Sequence, residues 1–199
     1  MKMKFSPKLF EKLTVKTDLE NETVEIEFPE NDPPLKIEVL LMDLLSCSIA
    51  IQSVEMMANR SKNHKRVSIV PHLPKKYKTF VKLAEYGETL TYLLNLVHPV
   101  DFNYIPEYPV EGNNVVTKLK HQNNRLYIND AQYFEPVDED IWLMKAVIGL
   151  REVPVFFYDK KKKPLSETDI KNFKRLIGTL YETRNTRLAA QAALMSEMA

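Results

Sequence analysis

The stretch from Lys75 to Val97 constrains the fold more than any other part of the chain. Its apolar and small residues recur at steps of three or four, at Phe80, Ala84, Gly87, Leu90, Leu94 and Val97. An α-helix has about 3.6 residues per turn, so this spacing places them on one face. We therefore predict an amphipathic helix that packs one face against a core and ends before Pro99.

The N-terminal third predicts one strand and one buried helix. Thr23–Phe28 alternates apolar with mostly acidic residues, which is typical of a half-buried strand. Ile37–Asn59 is apolar almost all round, which favours a mostly buried helix. Three prolines predict a loop between them, Pro29, Pro33 and Pro34. We expect residues 1–60 to form an N-terminal segment, an acidic strand plus a buried helix, packed on residues 61–199.

A hairpin is predicted near the middle of the chain. Val115–Lys120 and Arg125–Asn129 are rich in strand-forming residues and flank the polar residues 121–124. Two such runs around a polar turn are typical of antiparallel strands.

The last third predicts two helices and a strand. Asp138–Ile148 favours a short helix, and Val153–Tyr158 favours a strand, which Pro154 would restrict to a sheet edge. Ser166–Asp169 resembles a capping box at the start of a longer helix. The predicted class is α+β, with a helical core, a small antiparallel sheet or hairpin, and a helix-rich C-terminus.

The single cysteine and the apolar runs bear on cellular location. One cysteine, Cys47, cannot form an internal disulfide, which favours a reducing cytoplasm. Cys47 lies in an apolar run, so we interpret it as an inert core thiol. The longest apolar run, Val39–Ile51, is shorter than the roughly 20 residues of a membrane span. We expect a cytoplasmic protein without a membrane partner.

The sequence offers no recognisable catalytic apparatus. It has four glycines, too dispersed to form a phosphate-binding loop. Its four histidines form neither HxH nor HxxxH, and no G-x-S-x-G nucleophile motif is present. We expect no catalytic residues, no metal and no cofactor. A small enzyme that uses none of these motifs stays as a third hypothesis for the function.

Charge is distributed unevenly along a chain whose net charge is only +1. Asp18–Asp43 contains nine acidic residues and one basic residue, Lys36, whereas Arg60–Lys82 contains eight basic residues and no acidic ones. Local fields attract polyanions even when the net charge is small. The basic segments therefore predict a nucleic-acid-binding surface.

We predict that three segments supply this surface, namely Arg60–Lys82, the hairpin and Lys160–Lys163. Lysine and arginine neutralise phosphates, while amides pair with adenine and arginine with guanine. The hairpin would read bases and the other two segments would hold the DNA backbone. The predicted contact residues are Arg66, Lys75, Lys76, Lys118, Lys120, Gln122, Asn123, Asn124, Arg125, Lys160, Lys161, Lys162 and Lys163.

A helix-turn-helix is a second hypothesis for Lys82–Leu94, with Gly87 at the turn. A recognition helix exposes polar residues to the DNA groove. Leu90, Leu93 and Leu94 instead suggest a buried face, which favours one continuous helix.

Several short segments occur in a characteristic order along the chain. They are Tyr108–Val116 (YPVEGNNVV), Arg125–Asn129 (RLYIN), Gln132–Val137 (QYFEPV), Asp138–Trp142 (DEDIW) and Leu165–Ile170 (LSETDI). This order resembles the C-terminal target-recognition (specificity) region of type ISP and related type IIG-like restriction–modification enzymes, over roughly residues 66–185.

The resemblance implies that residues 61–199 form a specificity-like α/β domain that recognises double-stranded DNA. Nuclease, motor and methyltransferase regions have no counterpart here, so it implies a non-catalytic module that acts with other restriction–modification subunits. The acidic segment Asp18–Asp43 motivates an alternative, a protein–protein interaction or adaptor module that has lost DNA binding.

Overall fold

The computed structural model of the protein describes most of the chain, namely residues 16–18, 20–58, 73–95, 104–144 and 153–197. The chain divides into two compact units, the first comprising Met1–Thr91 with Thr186–Ala199 and the second Tyr92–Asn185. The domain boundary predicted near residue 60 falls outside the described residues, as does the start of the 61–199 segment. Across the described ranges, no helix is both long enough and apolar enough to span a membrane.

The first unit contains a three-stranded antiparallel sheet. Its strands are β1 (Lys16–Asp18), β2 (Thr23–Phe28) and β3 (Leu35–Leu40), in the order β1-β2-β3. The alternation in β2 buries every second side chain, Val24, Ile26 and Phe28. The predicted strand is therefore confirmed.

The buried helix predicted at Ile37–Asn59 begins later than expected. Residues 35–40 form β3, which pairs along all of β2 from Thr23–Leu40 to Phe28–Leu35, and helix α1 is Leu41–Ala58. Pairing satisfies the backbone of β3 while Val39 is buried and Lys36 is exposed. The partner strand, which the apolar pattern of one segment does not reveal, decides the structure of these residues.

Helix α2 spans Tyr77–Asn95 without interruption, which confirms the amphipathic helix and contradicts the helix-turn-helix hypothesis. It approaches α1 so closely that a Cβ on Gly87 would lie 1.7 Å from the carbonyl oxygen of Ser46. Cys47, on α1, is fully buried, and burial raises the pKa of its thiol to about 12. These two helices pack against the apolar face of the sheet.

The second unit contains a small sheet and its own core. The antiparallel strands are β4 (Lys120–Gln122), β5 (Arg125–Tyr127) and β6 (Tyr133–Phe134), in the order β4-β5-β6. Its buried side chains include Leu126, Ile128, Phe134, Ile141, Phe157, Phe173 and Ile177. Phe173 contacts Phe134 and Phe157, with ring centroids 4.5 and 4.8 Å away.

The strand predicted at Val153–Tyr158 is wrong. Val153–Phe156 is a four-residue helix, α4, which follows α3 (Glu139–Trp142). Proline is tolerated in the first helical turn because the N–H that it lacks has no partner there. Pro154 therefore fits a helix start better than the sheet edge we expected. The helix predicted at Asp138–Ile148 is shorter than expected, because residues 143 and 144 are not helical, and residues 145–148 lie outside the described residues.

Among the described residues, the longest element is α5 (Glu167–Met195), a helix of 29 residues. The predicted capping box is confirmed, because Ser166 Oγ accepts a hydrogen bond from the backbone N–H of Asp169 (3.1 Å) and Asp169 Oδ2 accepts one from the N–H of Ser166 (3.0 Å). With two small antiparallel sheets and a helical C-terminal region, the α+β class is confirmed.

Candidate nucleic-acid interface

The predicted hairpin is present, with shorter strands and a tighter turn than expected. His121 and Gln122 belong to β4, and only Asn123 and Asn124 form the turn. Their φ angles of 53° and 56° are both positive. A two-residue turn of this kind matches the twist of the flanking strands, and asparagine tolerates it better than most residues.

One face of the hairpin is fastened to the body of the second unit. His121 Nε2 donates a hydrogen bond to the carbonyl of Val137 (2.6 Å), and the His121 ring stacks on Trp142 at 6.1 Å between centroids. The Val137 N–H in turn donates to the carbonyl of Asn124 (2.7 Å). The turn is therefore held in place, while four polar residues around it remain exposed, Lys120, Gln122, Asn123 and Asn124.

Arg125 is not a free side chain. Its Nε donates to Glu135 Oε2 at 2.6 Å, and its guanidinium carbon lies 4.4 Å from the centre of the Tyr133 ring. The hydrogen bond that Arg125 donates to Glu135, together with one to Tyr127, raises the pKa of Arg125. This arrangement fixes the orientation of Arg125 and offsets its charge, so Arg125 contributes less to phosphate attraction than its residue type suggests.

The predicted basic turn at 160–163 is present and is hydrogen-bonded to Val116. The Lys162 N–H donates to the Val116 carbonyl (2.8 Å), and the Val116 N–H donates to the Lys163 carbonyl (3.1 Å). Val116 precedes Lys118 by two residues, so the turn adjoins the chain that leads into the hairpin. Five exposed lysines thus belong to neighbouring segments of one unit, and we call them the lysine strip: Lys118, Lys120, Lys161, Lys162 and Lys163.

Lys160 differs from its three neighbours because it forms a partly buried ion pair. Its Nζ lies 2.8 Å from Asp169 Oδ1, the carboxylate of the capping box. The hydrogen bonds from Lys160 and then Ser166 lower the pKa of Asp169 to about 2, from an ordinary value of 3.8. Lys160 therefore anchors the basic turn to the start of α5.

This ion pair predicts a specific dependence of stability on pH. A carboxyl whose pKa is lowered on folding stabilises the fold above its unfolded pKa, and the contribution disappears as pH falls through the folded value. We expect Asp169 to contribute fully above about pH 5 and to lose its contribution between about pH 4 and pH 2. Urea unfolding of wild type and Asp169→Asn at several pH values measures the contribution of Asp169 to the free energy of unfolding.

The difference in unfolding free energy between the two proteins should shrink as pH falls through that window. A constant difference from pH 5 to pH 2 would contradict the assignment. Ser166→Ala removes the cap but leaves the ion pair, so its free energy of unfolding should be about 1 kcal/mol lower than that of wild type.

The remaining predicted residues belong to the first unit. Lys75 Nζ forms an ion pair with Glu30 Oε1 at 2.6 Å, which raises the pKa of Lys75. The backbone N–H of Lys76 donates to the Glu197 carboxylate (2.8 Å). Both lysines therefore have acidic neighbours, and Arg66 lies outside the described residues.

A buried polar cluster, which the sequence did not reveal, holds the loop before the lysine strip. The side chain of Gln132 is 2 % exposed. Its Oε1 accepts from the Asn114 N–H (2.9 Å) and from Asn129 Nδ2 (3.0 Å), and its Nε2 donates to the Val110 carbonyl (3.1 Å) and to Asn114 Oδ1 (2.8 Å). A Cβ on Gly112 would lie 2.7 Å from the Gln132 amide carbon. The YPVEGNNVV, RLYIN and QYFEPV segments thus contribute to one hydrogen-bonded cluster through Asn114, Asn129 and Gln132.

The second unit is a small α+β body that presents lysines and amides on a fastened hairpin and an adjoining turn. These features are the surface chemistry of proteins that bind nucleic acid. The model of the Type ISP C-terminal specificity domain family matches residues 66–187, more than half of the chain. The chain therefore belongs to this family, which confirms the resemblance found in the sequence.

A solved structure, described as a nuclease-deletion mutant of the Type ISP restriction-modification enzyme LlaGI in complex with a DNA substrate mimic, is similar to this chain with a TM-score of 0.43 and 15% sequence identity. The similarity covers 88% of this chain and 14% of that enzyme. No curated protein matches the chain.

Proposed function

We propose that the protein is a target-recognition module that binds double-stranded DNA in the cytoplasm and carries out no chemistry itself. In this proposal the hairpin reads bases through Gln122, Asn123, Asn124 and Arg125. The lysine strip contacts phosphates, and other restriction–modification subunits supply catalysis. The observation that carries the proposal is membership of a specificity-domain family over residues 66–187, a range that includes the hairpin and the basic turn.

The charges of the second unit support this assignment. The lysines of the strip are exposed, and within the described ranges none of them forms an ion pair. Arg125, Lys160 and Lys75 are each paired with a carboxylate. We therefore assign most of the phosphate contact to the lysine strip, with Lys75 and Lys160 contributing less, and we keep Arg66 and Lys76 as proposed phosphate contacts.

The salt dependence of binding tests this assignment. Each neutralised phosphate contributes about −0.9 to the slope of log affinity against log salt, so five contacts predict a slope of about −4.5. Affinity for a pooled random duplex should then fall about 500-fold between about 50 and 200 mM salt. Fluorescence anisotropy with labelled duplex measures both values. Absence of binding at low salt would contradict the proposal.

A matched pair of variants locates the surface. Lys161→Gln/Lys163→Gln should make the slope shallower by about 1.8, because two phosphate contacts are lost. Lys171→Gln/Lys174→Gln removes the same charge from α5 in the same unit and should leave the slope unchanged. Equal slopes in the two variants would show that the lysine strip is not the contact surface.

The adaptor function is a second candidate, favoured by the outer face of the first sheet. Glu25 pairs directly with Glu38 across β2 and β3, and both are exposed. Like charges opposite each other destabilise a sheet, so a basic protein partner would relieve this repulsion. If the adaptor function is correct, the wild type should not bind DNA, and Glu25→Gln/Glu38→Gln should weaken capture of a partner subunit.

A further inference from the structure

Tyr158 is the most exposed large apolar or aromatic side chain in the described part of the protein. Its relative exposure is 88%, whereas the next value is 60%, for Leu143. An aromatic ring left in water forgoes the stabilisation that burial would give it. The exposure of such a ring indicates a binding role when the surrounding backbone cannot rearrange to bury it.

The backbone on both sides of Tyr158 is fixed. The preceding residue, Phe157, is 2 % exposed, and its ring lies 4.8 Å from Phe173 in the core. The N–H of Tyr158 donates to the Val155 carbonyl (3.2 Å), and the N–H of Lys160 donates to the Phe157 carbonyl (3.1 Å). Tyr158 is therefore presented to solvent by an ordered turn, and little conformational entropy is lost when the ring meets a ligand.

Apart from Asp159, which follows Tyr158 directly, the next charged residues along the chain are lysines. Lys161, Lys162 and Lys163 follow within five residues and are exposed. Three residues span at most about 11 Å, so the Cα atoms of Tyr158 and Lys161 are no farther apart than about three phosphates along a DNA strand. An aromatic ring beside lysines is the arrangement that binds unpaired nucleotides, since the ring stacks on a base while lysines contact the backbone.

We propose that Tyr158 stacks on an unpaired base of the bound DNA, with Lys161–Lys163 on the phosphates that flank it. A base inside an intact duplex is already stacked on both faces, so the ring can take only a base that has left the stack. This proposal rests on the proposed function and adds to it a preference for DNA that contains unpaired nucleotides.

The test compares two labelled substrates, a fully paired duplex and the same duplex with a three-nucleotide unpaired bulge. Stacking contributes about 1–3 kcal/mol per base, so Tyr158→Ala should weaken binding of the bulged DNA by about 5- to 150-fold. Its affinity for the paired duplex should stay within about twofold of wild type. Tyr158→Phe keeps the ring and should bind the bulged DNA as wild type does. Leu143→Ala removes another exposed apolar side chain of the same unit and is the matched control.

The outcomes separate this proposal from the proposed function. If Tyr158→Ala binds bulged DNA as tightly as wild type while Lys161→Gln/Lys163→Gln binds it less tightly, the stacking role is wrong and DNA recognition stands. If Tyr158→Ala weakens both substrates equally, the ring contacts DNA without choosing an unpaired base, and the stacking proposal is overturned. If wild type binds neither substrate, both proposals fail, and a protein partner becomes the better occupant for Tyr158.

Discussion

Gly87→Ala is expected to destabilise the protein by about 3 kcal/mol or more, although the same change stabilises an ordinary helix by up to about 1 kcal/mol. The new Cβ would lie 1.7 Å from the carbonyl oxygen and 2.3 Å from the carbonyl carbon of Ser46. These are backbone atoms of α1, so no side-chain rotation relieves the overlap and the two helices must separate. Urea unfolding followed by circular dichroism measures the free energy of unfolding.

Glu88→Ala is the matched control for this prediction. Glu88 is the next residue on α2 and is exposed, so alanine there meets no packed neighbour. Surface substitutions of this kind usually change stability by no more than about 0.5 kcal/mol. If Gly87→Ala is as stable as Glu88→Ala, the close approach of α2 to α1 is incorrect.

Gln132→Ala is expected to lower the free energy of unfolding by about 3 kcal/mol. It removes four hydrogen bonds from a buried side chain and leaves the N–H of Asn114 and the amide of Asn129 without that partner. A buried polar group that loses its partner destabilises the fold by about 1–3 kcal/mol. The same urea titration measures this loss, and Gln122→Ala, at an exposed hairpin position, should change stability by less than about 0.5 kcal/mol.

A double-mutant cycle tests whether Gly112 is required by Gln132. Gly112→Ala alone would place a Cβ 2.7 Å from the Gln132 side chain, which four hydrogen bonds hold in place. In a Gln132→Ala background that overlap disappears, so the second substitution should destabilise less than it does in wild type. Contacting residues usually show coupling of about 0.5–3 kcal/mol. Additive losses would mean that Gly112 has another role.

Elements whose pattern is complete within one segment could be predicted from the sequence. The stripe along 75–97 became α2, the alternation in Thr23–Phe28 became β2, and Ser166–Asp169 became the cap of α5. In each case the local pattern and the tertiary packing favour the same structure.

Two of the errors have different causes. Residues 37–40 looked helical because their apolar content continues into α1, and only pairing with β2 makes them a strand. Val153–Phe156 looked like a strand because it is short and rich in strand-forming residues, yet Phe157 enters the core from a helical turn. The first outcome depends on a distant partner and the second on the packing of one side chain, neither of which the periodicity of a segment records.

The candidate site was predictable in its composition and not in its electrostatics. The hairpin and the basic turn were located from the sequence, but the carboxylates that pair with three of the cations were not. Glu135 pairs with Arg125, Asp169 with Lys160 and Glu30 with Lys75, at separations of 10, 9 and 45 residues. Counting charges along the chain therefore overestimates the positive field wherever folding brings an acid to a base.

The Asn123–Asn124 turn restricts the substitutions that the tip of the hairpin can accept during evolution. Both residues have left-handed backbone angles, which glycine, asparagine and aspartate tolerate and β-branched residues do not. The backbone conformation of the turn therefore limits which residues can replace Asn123 and Asn124, whatever the hairpin binds. The strand positions beside it, Lys120 and Gln122, are exposed and carry no such restriction. If the hairpin reads bases as proposed, changes of DNA specificity should therefore accumulate on the flanks of the hairpin, while its tip changes slowly.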